Sequence, residues 1–277
     1  MRNIQSQLNH QGFIVLRNLF TQTQLQEISD EIEHLVDSVL SHHKLPQSNC
    51  LEEKLITLFE FNQEVYLNTA RAFSRLISIQ QSFVSSRILK YAKKLGISQP
   101  LIPTGPVVHI MSDRLKIENG YFGQPAHQDW PSMQGSLNAL VFWVALTKVT
   151  TSNYPVEVVP GSHLKGFIKG KVQANFYEIP DGSFNEADFI DVLCEPGDAM
   201  VFSSFLVHRT AIKEKTGFRL AASFRFDDAD EKQYISRGFT TAYKRVVERQ
   251  LCHEDIPGID AIQLIYSESS KRFHSDN

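Results

Sequence analysis

Six short apolar runs, at 107–111, 137–146, 156–159, 189–193, 199–207 and 220–226, most constrain the architecture open to this chain. They are rich in β-branched and aromatic residues, and Pro, Gly, Asn and Asp separate them. Runs of that length suit strands, the residues between them suit turns, and no long 3.6-residue pattern interleaves them. A parallel sheet needs strands alternating with helices, so the order argues instead for an antiparallel sandwich or barrel over about 105–228. The run from Arg219 to Phe226 also partly alternates, as a strand buried on one face should.

Upstream of Gly96 the period changes. Thr21 stands three residues before Gln24, a capping-box pattern, and Leu25, Ile28, Ile32, Leu35, Val36 and Val39 follow at helical spacing. The spacing predicts an amphipathic helix over about 22–40. Residues 51–95 continue mostly helical, with Leu55, Leu58, Phe59, Ile88, Leu89, Ala92 and Leu95 on the pattern and Gly96 as a C-cap. Phe13-Ile14-Val15-Leu16, between Gly12 and Asn18, reads as a buried strand. Tyr243, Val246, Val247 and Leu251 suggest one more helix over about 234–252, against the outside of the sheet. No repeat or linker divides the 277 residues, so the expectation is one domain over 1–277 with a helical layer at about 20–96.

Composition narrows the function. The formal net charge is −3 and Lys and Arg are dispersed, which disfavours a nucleic-acid partner. No stretch of about 18 uncharged apolar residues offers a membrane span, and the first residues lack the apolar core of a signal peptide. Cys50, Cys194 and Cys252 lie too far apart for a zinc ribbon or an evident disulfide framework, so reduced thiols are expected. A soluble cytoplasmic protein is the resulting expectation.

The candidate chemistry centres on His127-Gln128-Asp129. If 126–130 is extended, the period of two points His127 and Asp129 to one face and Gln128 away. His208, at the end of the run 200–207, could complete two histidines and one carboxylate, the facial set that suits non-haem Fe(II) and leaves positions for other ligands. His42-His43 is a poor alternative, since adjacent residues of a helix do not face one point and a helix end favours solvated cations.

With Pro160-Gly161-Ser162-His163 and Pro196-Gly197-Asp198 between these ligands, and Arg219 eleven residues after His208, the chain resembles the phytanoyl-CoA hydroxylase-like Fe(II)- and 2-oxoglutarate-dependent dioxygenases. The matching elements keep the family's order and cover roughly 105–226, and the segment 12–16 is similar to its opening strand. The resemblance implies a mainly β fold with flanking helices: a double-stranded β-helix (jelly roll, cupin-like) behind an N-terminal helical layer. It implies Fe(II) held by His127, Asp129 and His208, with 2-oxoglutarate and O2 as co-substrates and succinate and CO2 as products. Arg219 would hold the far carboxylate of 2-oxoglutarate through a charged, bidentate guanidinium. Thr210, Trp143 and Met111 would line the co-substrate pocket, and His109, Trp130 and Arg209 would face the substrate. Ser162 and His163 would satisfy loop backbone rather than bind metal.

Related halogenases carry a small residue where this chain has Asp129, so the resemblance implies hydroxylation rather than halogen transfer. Two other readings stand beside it: a cupin-like metal enzyme that does not use 2-oxoglutarate, and an inactive binding protein on the same fold. A small natural product or polar metabolite is the expected substrate, since no basic cluster marks a CoA phosphate site.

Overall fold

The computed structural model describes residues 4–117, 122–173, 176–180, 182–242, 258–260 and 262–265. The chain starts with a polar helix that no apolar period announces, α1 (Ile4–Gln11), of which Leu8 alone is buried. Gly12 ends it at φ 81, donating its N–H to the Leu8 carbonyl at 2.7 Å, and the chain turns into β1 (Phe13–Leu16). A glycine is required there because a side chain pays a steric penalty at positive φ.

α2 (Gln22–His42) begins where the sequence places it. Thr21 accepts from the Gln24 N–H and Gln24 reaches back to the Thr21 backbone, which satisfies two otherwise orphaned donors. Its buried face is Ile28, Ile32, Val36 and Leu40, four residues apart. The stretch 51–95 is four helices rather than one: α3 (Leu51–Phe61), α4 (Gln63–Phe73), α5 (Ile77–Phe83) and α6 (Ser86–Lys94). Asn62 makes the first break, since its side chain accepts from the N–H groups of Glu64 and Val65 and so starts α4 afresh. These helices bury Ile32, Phe73, Phe83 and Ile88 against Phe142, Phe224 and Phe226 of the sheet, in one continuous core.

The sheet order is β1, β9, β4, β11, β2, with β3 also paired to β11, and every pairing is antiparallel. The strands are β2 (Pro100–Leu101), β3 (Val107–Met111), β4 (Leu140–Ala145), β9 (Ala199–Ser203) and β11 (Arg219–Asp228). A smaller sheet runs β10, β5, β8, formed by β10 (His208–Thr210), β5 (Val156–Val158) and β8 (Ile190–Val192). A two-stranded ribbon joins β6 (Lys171–Gln173) to β7 (Phe176–Glu178). The two larger sheets share a second core of Val141, Trp143, Met200 and Phe202 with Val156, Val158 and Val192. Among the described residues they form two antiparallel layers with helices on one side, without closing into a barrel. The mainly β class with an N-terminal helical layer thus holds.

Alternation on β11 sorts its residues cleanly. Leu220, Ala222, Phe224 and Phe226 join the core under the helices, and Ala221 joins the core between the sheets. One corner, Pro196-Gly197-Asp198, holds the start of β9 in place. Gly197, at φ 86, sits where an added Cβ would come within 2.8 Å of the Phe20 carbonyl oxygen, and Asp198 accepts from the backbone N–H groups of Asn18 and Glu195. Beyond β11 comes α8 (Lys232–Ser236), which ends at Arg237; residues 243–252 of the helix expected at 234–252 lie outside the described residues.

The chain divides into two compact units, Met1–Tyr243 and Lys244–Asn277. The second is described only at 258–260 and 262–265, where helical residues expose Ile259, Ile262, Leu264 and Ile265. Of the cysteines, Cys50 is exposed and Cys194 buried, both as free thiols, and Cys252 lies outside the described residues.

Candidate active site

His208 does not end the strand that precedes it. β9 stops at Ser203, the chain crosses from the large sheet to the small one, and His208 opens β10. Ser162, in the Pro-Gly-Ser-His turn, fixes that crossing by accepting from the buried Val207 N–H at 2.9 Å. The imidazole of His163 meets the Asn9 carbonyl, so both residues of the turn serve backbone groups.

His127 and His208 pair directly through their backbones. Each N–H donates to the other's carbonyl, at 3.0 and 3.1 Å, as in an antiparallel ladder. Side chains of such a pair stand on the same face, and the two rings lie 4.1 Å apart between centroids. Asp129 arrives differently. Its backbone is right-handed helical (φ −74, ψ −33) and it leads into the short helix α7 (Trp130–Met133). An extended 126–130 is therefore corrected: His127 alone is bridged, and Pro131 in the first turn of α7 bends the chain after it. The bend still brings the carboxylate back to the imidazoles.

All three side chains are buried. Oδ1 of Asp129 lies 3.4 Å from His127 Nε2 and 3.8 Å from His208 Nε2, and one ligand atom from each residue falls within 4.8 Å of the others. The Nδ1 atoms are turned outward: His127 Nδ1 meets the Pro125 carbonyl at 2.8 Å and His208 Nδ1 the Leu206 carbonyl at 3.0 Å. An Nδ1–H that donates to a carbonyl leaves Nε2 as a lone pair, which orients both rings for metal ligation. Burial, reinforced by His127, pushes His208 down to about 3, so it is neutral at physiological pH. Burial would raise the Asp129 carboxyl, but Arg225 and the two imidazoles outweigh it and hold the group well below the usual range. Two imidazoles and a carboxylate whose ligand atoms converge in this way fit a divalent iron.

Gln128 faces away from this cluster, as the triplet's spacing implied. Its amide donates to the carbonyls of Gly166 and Phe205, and its oxygen accepts from the Ile168 N–H. It thus ties the loop at 166–168 to the metal-bearing segment.

Arg219 opens β11 opposite Met111 of β3, buried in the pocket that His109, Trp143, Thr210 and the ligands Asp129 and His208 also line. Its guanidinium stands 5.4 Å over the Trp143 ring and donates to the carbonyl of Tyr154. Tyr154 is fully buried and holds φ 61, a strained position for a residue with a side chain, and the strain aims that carbonyl at the arginine. No ion-pair partner for Arg219 occurs among the described residues, and its Nε has no hydrogen-bond partner. Burial pushes the guanidinium down to about 9. A buried cation in that state is suited to an anionic ligand.

Of the other expected residues, Thr210, His109 and Arg209 line this pocket, whereas Met111 and Trp130 are not among its lining residues. Thr210 accepts from the Gln124 N–H on its hydroxyl. Met111 is buried beside Arg219. His109 meets Ser223 Oγ through Nε2 at 2.9 Å, and burial, with Arg219 and Arg225 nearby, pushes it down to about 3. Arg209 lines the pocket but gives its donors to Glu157 and Glu186 and stacks on Phe189. Trp130 stacks on Phe205 and donates its indole N–H to the Gly135 carbonyl.

Arg225 is the pocket residue that reading the sequence missed. Its Nε donates to Oδ2 of Asp129 at 3.0 Å, and its Nη2 ion-pairs with the same oxygen at 2.9 Å. The signal was present, because Arg225 stands six residues after Arg219 on one strand, and an even separation puts both on the same face.

The comparisons agree with this geometry. The family described as Phytanoyl-CoA dioxygenase (PhyH) matches residues 8–219. The chain is similar to the peroxisomal phytanoyl-CoA dioxygenase of Bos taurus, with 25% identity over 235 residues that cover 79% of this chain and 66% of that protein. A probable phytanoyl-CoA dioxygenase of Caenorhabditis elegans is 24% identical over 251 residues, covering 83% of this chain and 76% of that protein. The chain thus spans just under two thirds, 66%, of the bovine protein's length. Among solved structures, the epimerase SnoN in complex with Fe3+, alpha ketoglutarate and nogalamycin RO superposes with a TM-score of 0.54 at 16% identity, covering 92% of this chain and 94% of that one. EctD from S. alaskensis with 2-oxoglutarate and 5-hydroxyectoine gives 0.51 at 17% identity, covering 83% and 77%. At such identities these two establish a shared fold.

Proposed function

Because the chain belongs to the phytanoyl-CoA dioxygenase family, we propose that it is an Fe(II)- and 2-oxoglutarate-dependent oxygenase that hydroxylates a small molecule. Within the match at 8–219 the helical layer and most of the sheet region go together, which supports reading those two layers as one domain; the match does not reach the unit Lys244–Asn277. The observation that carries the activity is the buried pairing of two parts: the convergent His127, Asp129 and His208, and a buried Arg219 without an ion-pair partner in the same pocket.

In this reading Nε2 of His127, Nε2 of His208 and Oδ1 of Asp129 hold Fe(II). Iron held there would supply, with 2-oxoglutarate and O2, the oxidative chemistry of a hydroxylation with succinate and CO2 as co-products. Arg219 grips the far carboxylate of 2-oxoglutarate, for which its depressed pKa and free Nε give support. Thr210 contributes a hydroxyl beside it, Trp143 covers the guanidinium, and Met111 fills the wall behind. Val141, Val156, Met200 and Phe202 keep this end of the pocket dry, which strengthens the ionic contacts within it.

His109, Trp130 and Arg209 form the proposed substrate side, with Arg209 acting through a guanidinium already oriented by Glu157 and Glu186. The carboxylate of Asp129, ion-paired to Arg225 and facing both imidazoles, supports hydroxylation over halogen transfer. The free thiols of Cys50 and Cys194 support a reducing compartment such as the cytoplasm, and the bovine relative is named peroxisomal. No described helix is long and apolar enough to cross a membrane.

Reconstitution of the purified protein with Fe(II) under argon, followed by 2-oxoglutarate and O2, tests the proposal. Succinate should form only when all three are present and should vanish in His208→Ala. Succinate release that ignores iron, or none with any of a panel of small-molecule substrates, would overturn it in favour of a cupin-like enzyme without 2-oxoglutarate or an inactive binder.

A further inference from the structure

Of the three arginines that line the pocket, Arg225 alone is assigned to neither the co-substrate nor the substrate. Arg225 lies on the pocket face of β11, opposite Val141 of β4. Two of its donors, Nε at 3.0 Å and Nη2 at 2.9 Å, converge on the same oxygen, Oδ2 of Asp129. The third arm, Nη1, reaches Ser223 Oγ at 3.4 Å, and Ser223 is in turn 2.9 Å from His109 Nε2. A chain of polar contacts therefore runs from Asp129 through Arg225 and Ser223 on β11 to His109 on β3. Ser223 is itself buried, so this chain is shielded from water.

We infer that Arg225 is a positioning residue for the metal carboxylate: by holding Asp129 through Oδ2, it presents Oδ1 alone to the iron. The inference rests on the iron-site reading above. A carboxylate can turn about its terminal bond and offer a metal one oxygen or two. Here the two oxygens are already divided between partners, with Oδ2 on the guanidinium and Oδ1 facing Nε2 of both histidines, at 3.4 and 3.8 Å. A second carboxylate oxygen on the metal would take a position that the co-substrate or O2 needs. The planar guanidinium suits this task because one arm can hold Ser223 while two hold Oδ2, whereas an ammonium is a point charge with no fixed fork. Partners of this kind, one step removed from the metal, typically change metal affinity or activity by about 10- to 100-fold.

A plainer account is that Arg225 only neutralises a buried carboxylate. Lysine would preserve that neutralisation but lose the fork, and this difference separates the two accounts. Co(II) is a suitable probe in the full-length protein, because its d–d absorption reports coordination number and its dissociation constant is measurable without turnover. The wild type, Arg225→Lys, Arg225→Leu and Ser223→Ala are titrated with Co(II), with near-ultraviolet circular dichroism confirming the fold. Arg225→Leu and Arg225→Lys should each weaken Co(II) binding about tenfold or more and change the d–d band shape, and Ser223→Ala should weaken it about two- to fivefold. Should Arg225→Leu fail to fold, Arg225→Lys and Ser223→Ala decide the matter. Wild-type affinity and an unaltered d–d spectrum in the folded Arg225 variants, or in Arg225→Lys and Ser223→Ala together, overturn the inference. His208→Ala is titrated in parallel: if it binds Co(II) like the wild type, the iron-site reading fails, and Arg225's role with it. If His208→Ala loses binding while the Arg225 variants keep it, only the role of Arg225 fails.

Discussion

Replacing Arg219 with methionine should stabilise the co-substrate-free protein while destroying its response to 2-oxoglutarate. Burial lowers this guanidinium from an ordinary 12.5 to about 9. At about 1.36 kcal/mol for each of those steps, the protein bears roughly 5 kcal/mol of penalty for keeping the cation charged at neutral pH. The hydrogen bond to the Tyr154 carbonyl returns about 1.5–3 kcal/mol of it. Arg219→Met, of similar length and no charge, therefore gains on the order of 2 kcal/mol, or about 4–8 °C in Tm for a domain of this size. The penalty is present at all pH values below about 9 and is relieved above that, as the folded-state guanidinium deprotonates before the unfolded one. The wild type should thus gain on the variant as pH rises beyond about 9. Thermal unfolding of both proteins, metal-loaded and with or without 2-oxoglutarate, is the assay. Co-substrate at about a hundred times its Kd should raise wild-type stability by about 2.7 kcal/mol. In the variant, losing a buried charge-assisted pair worth about 2–5 kcal/mol should remove most of that rise. A variant that melts below the wild type and keeps the full 2-oxoglutarate response would refute both the burial argument and the assigned role.

Other expectations follow from single contacts. Asp129→Ala should abolish succinate formation from 2-oxoglutarate in a protein that still melts cooperatively; wild-type turnover would remove Asp129 from the metal site. Gln128→Ala, which strands the Gly166 and Phe205 carbonyls and the Ile168 N–H, should lower unfolding free energy by about 2–4 kcal/mol in urea titrations. An unchanged urea midpoint would show that the loop does not depend on this side chain. Gly197→Ala must place a Cβ 2.8 Å from the Phe20 carbonyl at a positive φ, so a loss of about 1–3 kcal/mol is expected. Equal stability of the two proteins in the same titration would mean the turn relaxes freely.

How far the sequence could be read depends on whether each feature rests on local pattern or on distant contacts. The strands at 140–145, 156–158, 190–192, 199–203 and 219–228 coincide with the β-branched runs, because an apolar stretch bounded by turn residues has few other folds open to it. α2 was legible to its first residue through the capping box of Thr21 and Gln24. The ribbon at Lys171–Gln173 and Phe176–Glu178 was not, since neither half carries an apolar run long enough to register. The helical break at Asn62 was hidden because its cap is set by one polar side chain, whereas the apolar period runs on across it; the helices after Ser74 and Val84 start without a side-chain cap and so carry no such signal. Within the site, His127, Asp129, His208 and Arg219 were brought into one set by the family resemblance that their types and order carry, rather than by local pattern alone. The route of Asp129 into it was not legible, because its helical backbone is imposed by α7 and by the Ser204 carbonyl that accepts from the Trp130 N–H.

The arrangement of β11 explains why a missed residue and a found one belong to the same device. Its odd-numbered positions Arg219, Ala221, Ser223 and Arg225 face the pocket, and its even-numbered positions from Leu220 to Phe226 enter the helical core. Arg219 and Arg225 are therefore separated by about 20 Å of strand, so one rigid element carries the co-substrate clamp at one end and the contact to the metal carboxylate at the other. Between them Ala221 and Ser223 are small, which leaves room for Trp143 from β4 and His109 from β3 to reach into the same space. A slip of one residue in the pairing with β4 would turn both guanidiniums into the apolar core and four apolar side chains into the pocket. The burial of Phe224 and Phe226 against Phe142 and Phe83 thus does more than stabilise the fold. By forbidding that slip, it keeps both cations on the pocket face, where the proposed chemistry needs them.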